Sequence, residues 1–146
     1  MPQVPPAAHA VAERLLAYER TQGPPAEPQG QAVVRACAKL GVSFSRVAGV
    51  AGFRSLLARA LTLAQREAPW LAAVAVTGEG ALAGFGEEAR AQDPAVVAAG
   101  GCALLTQFLG LLHLFIGEAL TGRLLADVWP EAPGDPPPPG RQENAR

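Results

Sequence analysis

The longest stretch without a charged side chain lies near the C-terminal end of the chain. Residues 94–117 contain no Asp, Glu, Lys or Arg. Asp93 and Pro94 suit the N-cap and the first position of a helix, so the sequence predicts one long helix from Pro94 to Trp129. A helix that is apolar all round must be covered by protein or by lipid. That choice constrains the fold more than any other feature.

The composition of this segment favours coverage by protein. Thr106, Gln107 and His113 interrupt it, and no cluster of Lys or Arg flanks it, as would be usual for a membrane span. Apolar residues make up 49% of the chain, which is enough for one hydrophobic core. Membrane insertion of residues 94–117 stays open as the alternative.

Proline and glycine divide the rest of the chain into shorter helices. We expect helices over residues 7–22 and 29–40, the second with Gly41 as its C-cap, and a kink or break within residues 43–50. An amphipathic stripe follows, formed by Phe53, Leu56, Leu57, Ala60, Leu61 and Ala64. Apolar pieces on either side of residues 77–80 suggest a small β-hairpin. The predicted fold is all-α: a compact helical bundle of about four helices with a long C-terminal helix and one small hairpin.

The predicted domain organisation is simple. Residues 1–6 form a flexible N-terminal tail, residues 7–129 a single helical domain, and residues 130–146 a disordered tail rich in proline. The first residues lack a basic segment followed by an apolar run, so we expect no secretory signal. Cys37 and Cys102 lie among apolar residues without CxxC spacing, which is typical of buried thiols in a cytoplasmic protein.

Small residues form a narrow stripe along the long helix. The predicted interface consists of Ala103, Thr106, Gly110, His113, Gly117 and Thr121. A bulky stripe lies beside it, consisting of Leu104, Phe108, Leu112, Phe115 and Ala119. Glycine lowers helix propensity, so repeated glycines indicate close packing of another backbone. The pattern fits a seam between two copies of the chain and contact with another helix of the same chain equally well.

The charges are segregated along the sequence although the net charge is only −1. Residues 28–66 carry six basic side chains and no acid, and these define a candidate surface for a charged partner: Arg35, Lys39, Arg46, Arg54, Arg59 and Arg66. Residues 67–118 are predominantly acidic. Near-zero net charge and the absence of interleaved aromatics argue against nucleic acid. We expect the basic surface to meet the acidic half, within the chain or between copies.

The sequence spells no reaction. His113 and Glu118 do not share a helix face, no acidic cluster accompanies His113 or His9, and we therefore expect no metal and no cofactor. None of the serines occurs in GxSxG, and no phosphate loop with its lysine is present. The glycines at 78, 80 and 84 depart from the dinucleotide-binding spacing and are interpreted as turn residues.

The sequence therefore favours a non-catalytic, cytoplasmic module for protein–protein interaction that forms a homo-oligomer through the long glycine-containing helix. The alternative is a small membrane-associated protein whose basic surface faces anionic headgroups. A weaker alternative is a ligand-binding or enzymatic bundle with a pocket beside His113.

Overall fold

A computed structural model describes residues 6–28 and 30–130 of the protein. The predicted tails lie outside the described residues apart from Pro6 and Pro130. The described chain forms α1 (Pro6–Gln22), α2 (Gln31–Ala64), a 3-10 helix (Pro69–Ala73), β1 (Ala75–Val76), β2 (Leu82–Ala83), α3 (Phe85–Arg90) and α4 (Pro94–Val128). The prediction of an all-α bundle of about four helices with one small hairpin is confirmed. In the hairpin, Ala75 pairs with Ala83 and Val76 with Leu82.

Helix α1 contributes one face to the core. Its buried residues are Ala8, Ala12, Leu15, Leu16 and Glu19. Their spacing of four, three, one and three positions is that of an amphipathic helix. A fully buried glutamate therefore ends the apolar stripe of α1, and its charge must be satisfied inside the fold.

Helix α2 runs through the position predicted to end it. Gly41 lies within the helix, and the prediction of a C-cap there is wrong. A Cβ at Gly41 would lie only 2.8 Å from the ring of Phe53, so the missing side chain makes room for that ring. The predicted break is confirmed at Gly49, which has a φ of 81° and a ψ of 163°.

The break at Gly49 brings two phenylalanines to the same part of the core. Phe44 and Phe53 are nine positions apart, or about two and a half turns, so an unbroken helix would place them on opposite faces. Both nevertheless contact Phe108, with ring centroids 6.4 Å and 5.6 Å away. The bend at Gly49 therefore turns the apolar faces of the two halves of α2 toward the same part of the core.

Helix α4 contains a second break of the same kind. The predicted long helix from Pro94 to Trp129 is present as α4, but Gly117, with a φ of 88° and a ψ of 164°, introduces a kink that was not predicted. The buried residues Leu112 and Thr121 flank Gly117 as Phe44 and Phe53 flank Gly49, again nine positions apart. The Thr121 hydroxyl donates a hydrogen bond of 2.7 Å to the Gly117 carbonyl, four positions earlier in the chain.

The first segments of α2 and α4 run side by side in the same direction. Gly101 packs against Val33, and further along both helices Phe44 packs against Phe115 with centroids 6.0 Å apart. Val33 and Gly101 are 68 positions apart in the sequence, and Gly49 and Gly117 are separated by the same number of positions. The two breaks therefore fall at the same end of the bundle.

This parallel arrangement depends on the turn at Gly49. A straight helix of 34 residues would end about 50 Å from its start. Instead the second half of α2 returns toward the first, and Trp70, just beyond it, packs on Gly100 next to the Val33 contact. Residues 65–93, which contain the 3-10 helix, the hairpin and α3, then lead to the start of α4 beside the start of α2.

Replacement of Gly49 or Gly117 by alanine should destabilise the fold. Nothing lies within 4 Å of a Cβ at either position, so the cost comes from a backbone conformation accessible almost only to glycine. We expect a loss of about 1–3 kcal/mol in the free energy of unfolding, measured by urea denaturation.

Gly122→Ala is the matched control. It also has open space around a Cβ, but its backbone is helical, and we expect alanine to stabilise the protein by up to about 1 kcal/mol. Equal responses at positions 49, 117 and 122 would contradict the assigned role of the two breaks.

Candidate functional site

The predicted small-residue interface is largely used within the chain. The four residues of this set that are buried are Ala103, Thr106, Gly110 and Thr121. Gly117 forms the break, and His113 is half-buried with an enclosed Nδ1 that has no hydrogen-bond partner among the described residues. The stripe is therefore interrupted, and its first half packs within the bundle. Self-association through it stays a prediction.

Two of the six residues of the predicted basic surface bind a buried acid. Arg35 donates from Nε to Glu19 at 2.7 Å and from a terminal nitrogen to Glu27 at 2.7 Å. Lys39 also donates to Glu19, as does the indole of Trp129 at 2.6 Å. A single carboxylate with no exposed surface therefore joins α1, α2 and the end of α4.

The environment of Glu19 keeps its carboxylate ionised. Burial alone would raise its pKa, but the hydrogen bonds from Lys39, Trp129 and Arg35 outweigh burial and lower the pKa below the usual 4.5. The same contacts with Glu27 and Glu19 raise the pKa of Arg35. The group is a charged network and not a neutral hydrogen-bonded one.

The remaining four residues of the predicted basic surface lie at the surface of the protein. Arg54 donates to the carbonyl of Gly78 at 3.1 Å, and Arg46, Arg59 and Arg66 are exposed. We expected the basic residues to pair with residues 67–118. For Arg35 and Lys39 this expectation is wrong, because their partners belong to α1 and to the segment that follows it. The basic set is therefore divided between an internal network and an exposed part.

Large apolar side chains are exposed at the end of the bundle where the helices break. We call this surface the apolar end. It consists of Val42, Val47, Val50, Leu114, Phe115 and Leu120, each at least half exposed. Among the described residues, Val96 is the one other exposed large apolar side chain, and it lies at the start of α4. Val42 and Val50 also line a cleft between α2 and the hairpin, and several exposed large apolar side chains at one end of a fold are typical of interaction sites.

Two helices are long and apolar enough to cross a membrane. In the most apolar 18-residue stretch of α4, 61% of the residues are buried within the chain, and in that of α2 the share is 28%. A core helix of a soluble protein meets the same criterion, so length and composition do not decide the matter.

A separate groove lies between α1 and α4. It has a volume of about 520 Å³ and contains His9, Glu13, Cys102 and Thr106 among its lining residues. The Sγ of Cys102 lies 3.7 Å from Nδ1 of His9, and Nε2 of His9 lies 3.4 Å from the Glu13 carboxylate. Glu13 therefore lies beside His9, and Glu67 lines the same groove.

The two cysteines differ in their surroundings. Burial raises the pKa of the Cys37 thiol to about 12, which is typical of an inert core thiol. Burial also raises the pKa of Cys102, the hydrogen bond with Thr106 lowers it, and the charges of Glu13 and Glu67 raise it further. Cys102 therefore lies in a groove with a negative electrostatic environment.

A second cleft of about 420 Å³ lies between α2 and the hairpin. Its walls are mostly apolar, and Ser45 and Glu79 supply the polar side chains. His113 lines neither this cleft nor the groove at Cys102. The predicted pocket beside His113 gains no support from either.

Comparison with protein families, with curated proteins and with solved structures found no match for this chain. The functional argument therefore rests on the geometry described above.

Glu19→Gln should destabilise the protein at neutral pH. The substitution leaves Arg35 and Lys39 facing a neutral amide, and loss of one partner of a buried ion pair costs about 3 kcal/mol. Asp127→Asn, at an exposed position of α4, should change the unfolding free energy by less than about 0.5 kcal/mol.

The wild type should also lose stability as the pH falls. A carboxyl with a lowered folded pKa contributes its stabilisation above the unfolded value of 4.5 and loses it as the pH falls through the folded pKa. Urea denaturation across acidic pH should show a flatter dependence for Glu19→Gln. Parallel curves would contradict the charged network.

Proposed function

We propose that the protein is a non-catalytic helical interaction module that forms a homo-oligomer through the apolar end. The observation that carries this proposal is the concentration of exposed Val, Leu and Phe side chains beside Gly49 and Gly117. The proposal keeps α4 as the contacting helix but uses its second half and the adjoining bend of α2. The buried small residues earlier in α4 serve the packing of the bundle.

The shape of this surface supports a contact between folded units. Phe115 already packs against Phe44, so part of the apolar end is anchored to the core. Leu114 and Leu120 lie before and after the break, with 66% and 50% of their surfaces exposed. A surface held by two tight bends needs little ordering on binding, which favours affinity.

The charges around the apolar end favour a second copy as the partner. Arg46 and Glu118 are both exposed and lie beside the breaks on α2 and α4, respectively. In a twofold contact each copy presents the same patch, so a patch that carries both signs can complement itself. An anionic membrane surface would attract Arg46 but repel Glu118, so it complements only one of the two charges.

Membrane association remains the second candidate because α2 and α4 meet the length and composition criterion for a span. Insertion of residues 94–117 would require α4 to leave the core, since this segment contains Leu104, Phe108 and Leu112, all fully buried. Peripheral contact of the apolar end with lipid would need no such rearrangement. The experiment below separates these possibilities.

Leu114→Lys combined with Leu120→Lys should weaken self-association at least tenfold, or about 1.4 kcal/mol, because it places charge in the apolar contact. Light scattering coupled to size exclusion, over a range of protein concentrations, measures the mass. Val96→Lys is the matched control, since it adds a lysine to an exposed apolar position of the same helix, about 27 Å before Leu114 along α4.

A wild type that stays monomeric at all concentrations would overturn the proposal. Sedimentation of the monomer with anionic vesicles, lost in the double lysine variant, would then support peripheral membrane binding. Extraction only by detergent would favour insertion of α4.

A further inference from the structure

We propose that the groove between α1 and α4 is a zinc site in which Cys102, His9 and Glu13 bind one Zn²⁺ ion. The ligands would be the Sγ of Cys102, a ring nitrogen of His9 and a carboxylate oxygen of Glu13. This site is distinct from the apolar end, since Cys102 precedes Leu114 by about 18 Å along α4.

The fold brings the three side chains together from distant parts of the sequence. His9 and Glu13 are four positions apart on α1, which places them on one face of the helix. Cys102 lies 93 positions from His9 and faces the pair from α4. One potential ligand atom from each residue lies within 4.8 Å of the other two.

These separations are close to those of a metal centre. Zinc binds sulfur, nitrogen and carboxylate oxygen at 2.0–2.3 Å in a tetrahedral arrangement, so neighbouring ligands lie roughly 3.5 Å apart. The distance of 3.7 Å from the Cys102 sulfur to Nδ1 of His9 meets this requirement. The Glu13 carboxylate lies 3.4 Å from Nε2, the other ring nitrogen of His9, and its exposed side chain would turn toward an ion shared with Cys102.

The chemistry of the ligand set indicates zinc and not a hard cation. Thiolate and imidazole are soft or borderline ligands, whereas Mg²⁺ and Ca²⁺ take oxygen ligands almost exclusively. Glu67 lines the same groove and adds a second carboxylate near Cys102, while Arg20 supplies one opposing charge. The negative environment favours a bound cation, and binding itself removes the thiol proton.

Three protein ligands leave one tetrahedral position open toward the groove. In zinc sites of this type a water molecule or an exogenous ligand occupies the fourth position. The groove volume of about 520 Å³ leaves ample room for either.

Cys102, His9 and Glu13 are also the residue types of a catalytic triad, in which a cysteine nucleophile is paired with a histidine and an acid. A nucleophilic cysteine needs a positively charged neighbourhood that favours its thiolate. Here Glu13 and Glu67 act in the opposite direction, and His9 and Glu13 are mostly exposed to water. A cation in the groove satisfies these charges, whereas a free thiolate would be repelled by them.

The test is titration of the full, untagged chain with Co²⁺ and Zn²⁺. We expect one Co²⁺ per chain with the absorption of a thiolate–cobalt bond, and displacement of Co²⁺ by Zn²⁺. Competition with a chromogenic chelator gives the affinity for Zn²⁺. Cys102→Ser should abolish the thiolate band, and His9→Ala and Glu13→Gln should each weaken Zn²⁺ binding at least tenfold, in line with the 10–100-fold losses seen even for outer-shell partners.

The chain supplies a matched control for each type of ligand. Cys37→Ser and His113→Ala remove the other cysteine and the other histidine, and both should keep the band and the affinity. Glu13→Gln changes an exposed side chain and so tests the site without risk to the core. Absence of a thiolate band in the wild type, or equal losses in the control variants, would overturn the proposal.

Discussion

The buried carboxylate of Glu19 is the interaction on which the arrangement of the three main helices depends. A charge without exposed surface is tolerated only when donors replace the water it has lost. Here the donors come from Arg35 and Lys39 on α2 and from Trp129 at the end of α4. Each helix therefore has to be in place before the carboxylate is satisfied. The network specifies how α1, α2 and α4 assemble as well as contributing to stability.

Glycine controls the path of the chain in two different ways. At Gly49 and Gly117 the requirement is conformational, since the backbone adopts a region of positive φ that other residues avoid. At Gly41 and Gly100 the requirement is spatial, because aromatic rings of Phe53 and Trp70 occupy the place of a side chain. Sequence alone does not separate these uses. For this reason the sequence predicted a helix end at Gly41 and an uninterrupted stripe of small residues through Gly117.

Local signals in the sequence predicted most of the fold. The proline after Asp93 marked the start of α4, and the stripe from Phe53 to Ala64 marked the second half of α2. The break in α2 was also foreseeable, since Phe44 and Phe53 cannot share a face of a straight helix. Contacts between distant segments were not predictable, because nothing near Cys102 indicates His9, and nothing near Glu19 indicates Trp129. The four-residue spacing of His9 and Glu13 was the one visible trace of the groove.

The turn at Gly49 also bears on the order in which the protein folds. Contacts across this turn, such as that between Gly41 and Phe53, close short loops, whereas the contact between Glu19 and Trp129 spans 110 positions. The entropy lost on closing a loop grows with its length, so short closures form more readily. We therefore expect the two halves of α2 to form an early folding unit onto which α4 docks. The contact of Trp129 with α1 would be among the last to form.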